Sequence, residues 1–171
     1  MKRILNEASR AQLIAKSRSA DIEKKTGLTR YGMKDTVSVF NSPNAYNGID
    51  FNAMFKSNVL SLNLPIQGSS SDYTVNVMFE GICDDIQREV RSNNYKVEYK
   101  CLYKAIIKAI DHNDIYISCT CNDFKFRQAY YATKGRYNSG TPQITPSRIT
   151  NPNDTKGAGC KHIMNVIANL D

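Results

Sequence analysis

Three cysteines and one histidine in the C-terminal part of the chain have the spacing of a metal-binding cluster. Cys119 and Cys121 are separated by one residue, and 38 residues further on Cys160 and His162 are separated in the same way. Thiolate sulfur and imidazole nitrogen are usual ligands of Zn²⁺, which prefers four of them in a tetrahedron. We therefore predict a zinc site. Since four protein ligands leave no position for water or substrate, the site would be structural and not catalytic.

The first pair of ligands is expected at the end of a strand. Apolar residues recur at every second position in Ile115, Ile117 and Cys119, which is typical of a strand with one buried face. Side chains two apart in a strand project to the same side. Cys119 and Cys121 can therefore contact one ion.

The second pair requires a bend before a helix. Residues two apart in a regular helix point roughly 200° from each other. Cys160 and His162 can share an ion only if Cys160 lies just before the helix predicted for residues 161–169. Gly157 and Gly159 would provide the backbone freedom for this bend.

The alternative for these four residues is a set of buried side chains without an ion, because cysteine is among the most often buried residue types. The two other cysteines, Cys83 and Cys101, lie within apolar patterns and are expected to be core thiols. Five cysteines with uneven spacing do not suggest a disulfide framework. They favour a reducing compartment.

Length and composition favour one soluble domain. The chain has 171 residues, 41% of them hydrophobic and 23% charged, which is ordinary for a globular protein and short for two domains. No stretch approaches the ~20 apolar residues that cross a bilayer. The first residues lack the apolar run of a secretory signal. We therefore expect neither membrane association nor secretion.

The net charge of +7 is concentrated at the N-terminus. Residues 1–34 contain nine Lys and Arg against three Asp and Glu, a net +6, and the rest carries 14 against 13, a net +1. A basic segment of this kind predicts an acidic partner, either nucleic acid or a protein surface, with a solvated helix face as the alternative. The candidate contact residues are Lys2, Arg3, Arg10, Lys16, Arg18, Lys24, Lys25 and, further along, Arg127.

Three regions are predicted along the chain. Residues 1–34 form a basic helical arm whose thin apolar stripe suits docking on another helix or subunit. Residues 35–71, which contain Pro, Gly and Ser, form an extended linker or contact segment. Residues 72–171 form an α+β body, a small mixed sheet with packed helices and a zinc-finger-like C-terminal part.

Periodicity predicts the elements of the body. Strands are expected at residues 73–79, 95–99 and 115–119, and helices at 82–91, 102–110 and 161–169. Residues 124–132 fit either a helix or a strand, and residues 134–159 are expected to be a loop.

Aromatic and basic residues alternate after the first ligand pair. Such a run can stack unpaired bases, or it can form the core that braces the ligands, and we favour the core. Its members are Phe124, Lys125, Phe126, Arg127, Tyr130, Tyr131 and Arg136. We identify no nucleophile with a nearby base and no acid–base pair, and we therefore predict that the protein is not an enzyme.

The order Cys-x-Cys…Cys-x-His resembles the SWIM-type zinc finger over residues 114–168. This resemblance implies a module for contacts with nucleic acid or protein. The gap between the two pairs is longer here than in the usual SWIM pattern.

A wider resemblance is to structural proteins of tailed bacteriophages, with the crAss-like phages as the nearest group. It is carried by the run from Cys119 to Lys134, by Asn151-Pro-Asn-Asp154 and by the segment from Gly157 to His162, and the strand and helix at residues 72–90 extend it. The resemblance implies a non-enzymatic, homo-oligomeric ring or connector in the head–tail neck or tail of a virion. Its partners would be the portal, neighbouring ring or tail proteins and, as a further candidate, DNA.

Such a protein would be made in the host cytoplasm and then incorporated in the virion. The alternative function is a zinc-dependent nucleic-acid-binding module, with the arm and the aromatic–basic run as its binding surface.

Overall fold

The computed structural model describes residues 49–67, 71–112, 114–146 and 159–170. The predicted arm, together with Lys2, Arg3, Arg10, Lys16, Arg18, Lys24 and Lys25, lies outside these residues, as does Gly157. The elements in chain order are α1 (Phe51–Ser57), β1 (Val59–Gln67), β2 (Asp72–Glu80), α2 (Ile82–Ser92), α3 (Tyr99–His112), β3 (Asp114–Cys119), a π-helical segment (Phe124–Gln128), α4 (Ala129–Lys134) and α5 (Lys161–Leu170).

The three strands form one antiparallel sheet in the order β1-β2-β3. Leu62 lies opposite Val77, and Val77 lies opposite Ile117. All three side chains are buried, because alternate residues of each strand project to the same face of the sheet. The predicted α+β class is confirmed. Parallel pairing occurs at an isolated bridge between Ile117 and Asn138.

Helices cover the buried face of this sheet. Helices α2 and α3 follow β2 and precede β3 along the chain. Their apolar residues, among them Ile86 and Ile106, belong to the core. Helix α5 contacts β2 and β3, and it buries Ile163, Val166 and Ile167. In the described part of the chain, no helix has the length and apolar character needed to cross a membrane.

The prediction of an extended linker at residues 35–71 is wrong for the part that the structure describes. Helix α1 and strand β1 both lie in this range, and four β1 side chains are in the core: Leu60, Leu62, Leu64 and Ile66. Pro65, within β1, is compatible with a strand here because β1 is at the edge of the sheet, where one side of the backbone needs no partner strand. The body therefore begins before residue 72.

The structure corrects one local prediction, resolves a second that was open, and adds detail to a third. Residues 95–99 are not a strand, because a turn ends α2 and Tyr99 begins α3. Residues 124–132 are helical, with the π-helical segment leading into α4. In the predicted loop, Ile117 N–H donates to the Tyr137 carbonyl at 2.8 Å, and Ser139 N–H donates to the Ile117 carbonyl at 3.1 Å. The first part of this loop is therefore attached to β3.

Candidate metal centre

Strand β3 positions the first cysteine of the cluster. Cys119 is its last residue and lies opposite Val75 on the buried face of the sheet. The next residue continues the contact with β2, since Thr120 N–H donates to the Thr74 carbonyl at 3.0 Å and Thr74 N–H donates to Thr120 Oγ1 at 2.9 Å. This pairing carries Cys121 to the same side as Cys119, in agreement with the predicted strand geometry.

Backbone N–H groups point at the sulfurs of this pair. Cys121 N–H donates to Cys119 Sγ at 3.5 Å, and Phe124 N–H donates to Cys121 Sγ at 3.3 Å. Cys121 thus takes the place of a capping residue at the start of the helical segment that runs into α4. Hydrogen bonds to sulfur and the positive end of a helix both favour the thiolate, which is the form that binds metal.

A bend at Gly159 positions the second ligand pair. Gly159 has φ +87°, in the left-handed region, and Cys160 follows it immediately before α5 begins at Lys161. A Cβ atom at Gly159 would lie 3.0 Å from Cγ2 of Ile163, so a side chain is disfavoured there both by the backbone angle and by the space. The prediction that Cys160 lies just outside the helix is confirmed.

The four side chains meet at one point. Their ligand atoms all lie within 4.8 Å of one another, with His162 Nδ1 3.8 Å from Cys119 Sγ and 4.0 Å from Cys160 Sγ. A tetrahedral zinc ion with ordinary bond lengths requires sulfur–nitrogen separations of roughly 3.6 Å and sulfur–sulfur separations of roughly 3.8 Å. The cluster therefore has the dimensions of a tetrahedral metal site, and small shifts of the side chains would complete it.

The cluster is enclosed. Cys119 is 5% exposed, and Cys121, Cys160 and His162 are each 2% exposed or less. All five cysteines are free thiols, so the three sulfurs of the cluster are not joined by a disulfide. A buried set of three thiols and one imidazole is the donor set of a structural zinc site. The residues present thus fit a metal ion.

The three thiols of the cluster differ in pKa. Hydrogen bonds from the thiols of Cys119 and Cys160 hold the pKa of Cys121 far below its usual value. The pKa of Cys119 is raised to about 12, chiefly by its hydrogen bond to Cys121, and burial raises that of Cys160. In the metal-free cluster, one thiolate is therefore stabilised by two neighbouring thiols.

His162 is oriented by its surroundings. Its Nδ1 faces the sulfurs, and its ring lies against that of Tyr73, with the centroids 4.5 Å apart. Its Nε2 is buried and has no hydrogen-bond partner among the described residues. The sequence predicts that Tyr73 lies in a strand, but it indicates no role for this residue at the site. The signal that could have found it is strand pairing, since Tyr73 comes one residue before Thr74, which pairs with Thr120.

The other candidate residue in the described part lies outside the cluster. Arg127 is partly exposed and forms an ion pair with Asp123, with its Nη1 3.4 Å from a carboxylate oxygen. The aromatic–basic run has mixed roles, because Phe124 is buried in the core whereas Phe126 is exposed. The interpretation of this run as core is confirmed for Phe124 and wrong for Phe126, whose side chain the π-helical turn directs outward.

Comparisons of the chain with protein-family models, with curated proteins and with solved structures each gave no match.

Proposed function

We propose that Cys119, Cys121, Cys160 and His162 bind one Zn²⁺ ion that joins the C-terminal helix to the sheet. The observation that carries this proposal is the convergence of three sulfurs and one imidazole nitrogen within 4.8 Å, all buried. Tetrahedral sites of sulfur and nitrogen donors are typical of zinc. A closed set of four protein ligands supports a structural role for this ion.

The ion would act by fixing two distant parts of the chain. Cys121 and Cys160 are separated by 38 residues, and closing a loop of that length costs roughly 3 kcal/mol of chain entropy. Metal binding offsets this cost and is coupled to folding. The benefit is the attachment of α5, whose residues Ile163, Val166 and Ile167 complete the core over β2 and β3.

For the whole protein, we propose a structural role in a tailed-bacteriophage virion, as an oligomeric ring or connector of the head–tail neck or tail. The support is the resemblance described above, together with the contrast between a nearly neutral body and an N-terminal segment of net +6. A small body held by a structural ion is suited to assembly, because its surface is available for contacts with neighbouring subunits and the portal.

A nucleic-acid-binding module is the second candidate. It is favoured by one observation: Phe126 is exposed next to the exposed Lys125, so an aromatic ring and a cation are presented together. Aromatic rings with adjacent cations can bind unpaired bases and phosphates. An affinity for single-stranded nucleic acid that falls steeply as the ionic strength rises would support this candidate.

Two measurements test these proposals separately. Metal analysis of protein purified without chelator should give one zinc ion per chain for the parent and for Cys83→Ala, and much less for Cys121→Ala. A metal content that is the same in all three would refute the zinc site. Electron microscopy and light scattering of the parent should show a ring or other large assembly. A monomer without affinity for virion proteins would refute the connector role.

A further inference from the structure

An apolar groove in the body shares no residue with the cysteine cluster. It is formed by α1, α2, the turn after α2 and the start of α3, and it encloses about 570 Å³. This volume is within the range of about 300–1,000 Å³ that is typical of ligand pockets. Residues that line it include Phe51, Phe55, Val90, Tyr95, Val97 and Leu102.

Exposed apolar side chains are concentrated at this groove. Phe51 is 41% exposed, Phe55 51%, Tyr95 76% and Val97 78%. Only two other large hydrophobic side chains of the described residues, Phe126 and Ile144, are exposed, and neither lines the groove. A contiguous apolar patch of this kind marks an interaction surface, whereas scattered exposed side chains are ordinary.

The wall that carries Tyr95 is fixed in an unusual conformation. Asn94 and Tyr95 both have left-handed backbone angles, with φ values of 53° and 61°, and this region is rare for a bulky residue. The turn is held by Tyr95 N–H, which donates to the Val90 carbonyl at 2.9 Å, and by Asn93 Nδ2, which donates to the Lys96 carbonyl at 2.9 Å. Strained residues persist where the surrounding contacts determine them, and they are concentrated at functional sites.

The opposite wall is fixed as well. Asn58, which ends α1, accepts hydrogen bonds from the residues that begin α2: Gly81 N–H donates to its carbonyl at 2.8 Å, and Cys83 N–H donates to its Oδ1 at 3.0 Å. Helix α1 is therefore held against α2, and Phe51 and Phe55, four residues apart, project along one side of the groove. The groove is thus preformed.

We infer that the occupant of this groove is the segment Val37–Phe40 of the same chain. The described part of the chain begins at Ile49, which packs against the core, and Phe51 on the rim of the groove follows two residues later. Eight residues separate Phe40 from Ile49, and a chain of that length can span up to about 30 Å. The connection is therefore long enough for the segment to return to Phe51 at the rim of the groove.

The sequence of this segment suits an apolar surface. Val37 and Val39 alternate with polar residues and Phe40 follows, and the segment carries no charge. Between it and the groove are Pro43 and the pair Asn47-Gly48, which favour turns and allow the chain to reverse. Residues 1–34, with a net charge of +6, are less suitable because burial of charged side chains in an apolar groove is unfavourable.

The short connection also favours this occupant over a free partner. A segment that is joined to its site by a short stretch of chain has a high effective concentration there, in the millimolar range. A partner at a lower concentration would have to bind much more tightly to displace it. Docking within one chain covers the exposed rings of Phe51, Phe55 and Tyr95 without a second molecule.

A fluorescence experiment on the full chain tests this docking. The chain contains no tryptophan, so Tyr95→Trp introduces a single indole at the groove. We expect low acrylamide quenching of this indole, a rise of at least twofold when Phe40→Asp is added, and little change with the matched control Ser38→Asp. Equal quenching in the two charge variants would overturn the inference. If the indole becomes more accessible to acrylamide when the protein is diluted, the inference is also overturned, because the occupant of the groove is then a second copy of the chain.

A second measurement does not depend on the indole. Val97→Asp introduces a charge into the groove, and Lys96→Asp introduces one at the neighbouring exposed residue that does not line it. Chymotrypsin should cleave after Phe40 several-fold faster in Val97→Asp than in the parent, and at the parent rate in Lys96→Asp. Cleavage at one rate in all three proteins would contradict docking at this groove.

Discussion

The ring of Tyr73 lies against the imidazole of His162, with 4.5 Å between the centroids and 36° between the ring planes. Tyr73 belongs to β2, whereas His162 belongs to the first turn of α5, 89 residues later. The contact therefore joins the sheet to the C-terminal helix beside the proposed ion. Because one face of the imidazole is covered by the phenol ring, its rotation is restricted and Nδ1 stays directed at the sulfurs.

We expect Tyr73→Ala to weaken zinc binding, because residues that orient a ligand typically contribute 10- to 100-fold in metal affinity. Tyr73→Phe retains the ring and should bind zinc within about threefold of the parent. Competition with a chromophoric chelator measures both affinities. If the alanine variant binds as tightly as the parent, the orienting role of Tyr73 is wrong.

Removal of one sulfur should loosen the C-terminal part. Cys121→Ala removes a ligand, and without the ion Cys160 and α5 are no longer joined to the end of β3. We expect proteolytic cleavage within residues 135–159 to become at least tenfold faster, as it should when the parent is treated with a strong chelator. Mass spectrometry of the fragments identifies the cleavage sites.

The control for this prediction is Cys83→Ala, which removes a buried thiol that lies outside the cluster. This variant loses some core packing, but its cleavage within residues 135–159 should still respond to chelator as in the parent. A parent whose digestion pattern is unchanged by chelator would show that the ion does not hold this segment.

The cluster could be predicted from sequence because its geometry follows from regular structure. The period of two in β3 brings Cys119 and Cys121 to one side, and the helical period requires Cys160 to precede α5. The orientation of His162 could not be predicted in this way, since it depends on Tyr73 in a distant strand. Local periodicity contains no information on contacts of that kind.

Strand β1, in contrast to the cluster, was not predicted from the sequence. Its core residues Leu60, Leu62 and Leu64 alternate as clearly as those of β2. The alternation predicts a strand, but it is followed by Pro65, Gly68 and three serines. Because proline and glycine usually indicate turns, these residues led to the prediction of a linker. The position of β1 at the edge of the sheet, where Pro65 is tolerated, becomes known only when the strand order is known.

Zinc binding should release protons. The pKa of Cys119 is raised to about 12 and that of Cys160 is raised by burial, so both thiols are protonated in the metal-free protein at neutral pH. The pKa of Cys121 is lowered, and this residue is already a thiolate. Since the ion binds thiolates, about two protons should leave the cluster for each ion bound.

The sign of the pH dependence follows from this proton release. Lowering the pH from 8 to 6 favours the protonated thiols and should weaken zinc binding by up to about 100-fold per pH unit for two protons released. Titration calorimetry in two buffers with different ionisation enthalpies counts the protons. Binding without proton release would contradict the prediction that the protonated thiols of Cys119 and Cys160 become ligands of the ion.

Gly159→Ala should test the bend that brings Cys160 to the site. Gly159 has φ +87°, and an added Cβ atom would lie 3.0 Å from Cγ2 of Ile163. A residue other than glycine in the left-handed region costs roughly 1–2 kcal/mol, and the contact with Ile163 adds to this cost. We expect a lower free energy of unfolding in urea for the metal-free protein and a further loss of zinc affinity, because relaxation of the bend moves Cys160 away from the other ligands.

Gly140→Ala is the matched comparison, because Gly140 has no left-handed angle and its added Cβ atom would also be close to a neighbour, at 3.1 Å from Cβ of Ser118. This variant should lose some stability through that contact but should keep the zinc affinity of the parent. Comparison of the two variants therefore distinguishes the effect of crowding by the added Cβ atom from the effect of the left-handed backbone angle. If Gly159→Ala binds zinc as Gly140→Ala does, the left-handed residue before Cys160 is not needed to form the site, and the four ligands must be held together by the packing of α5 on the sheet alone.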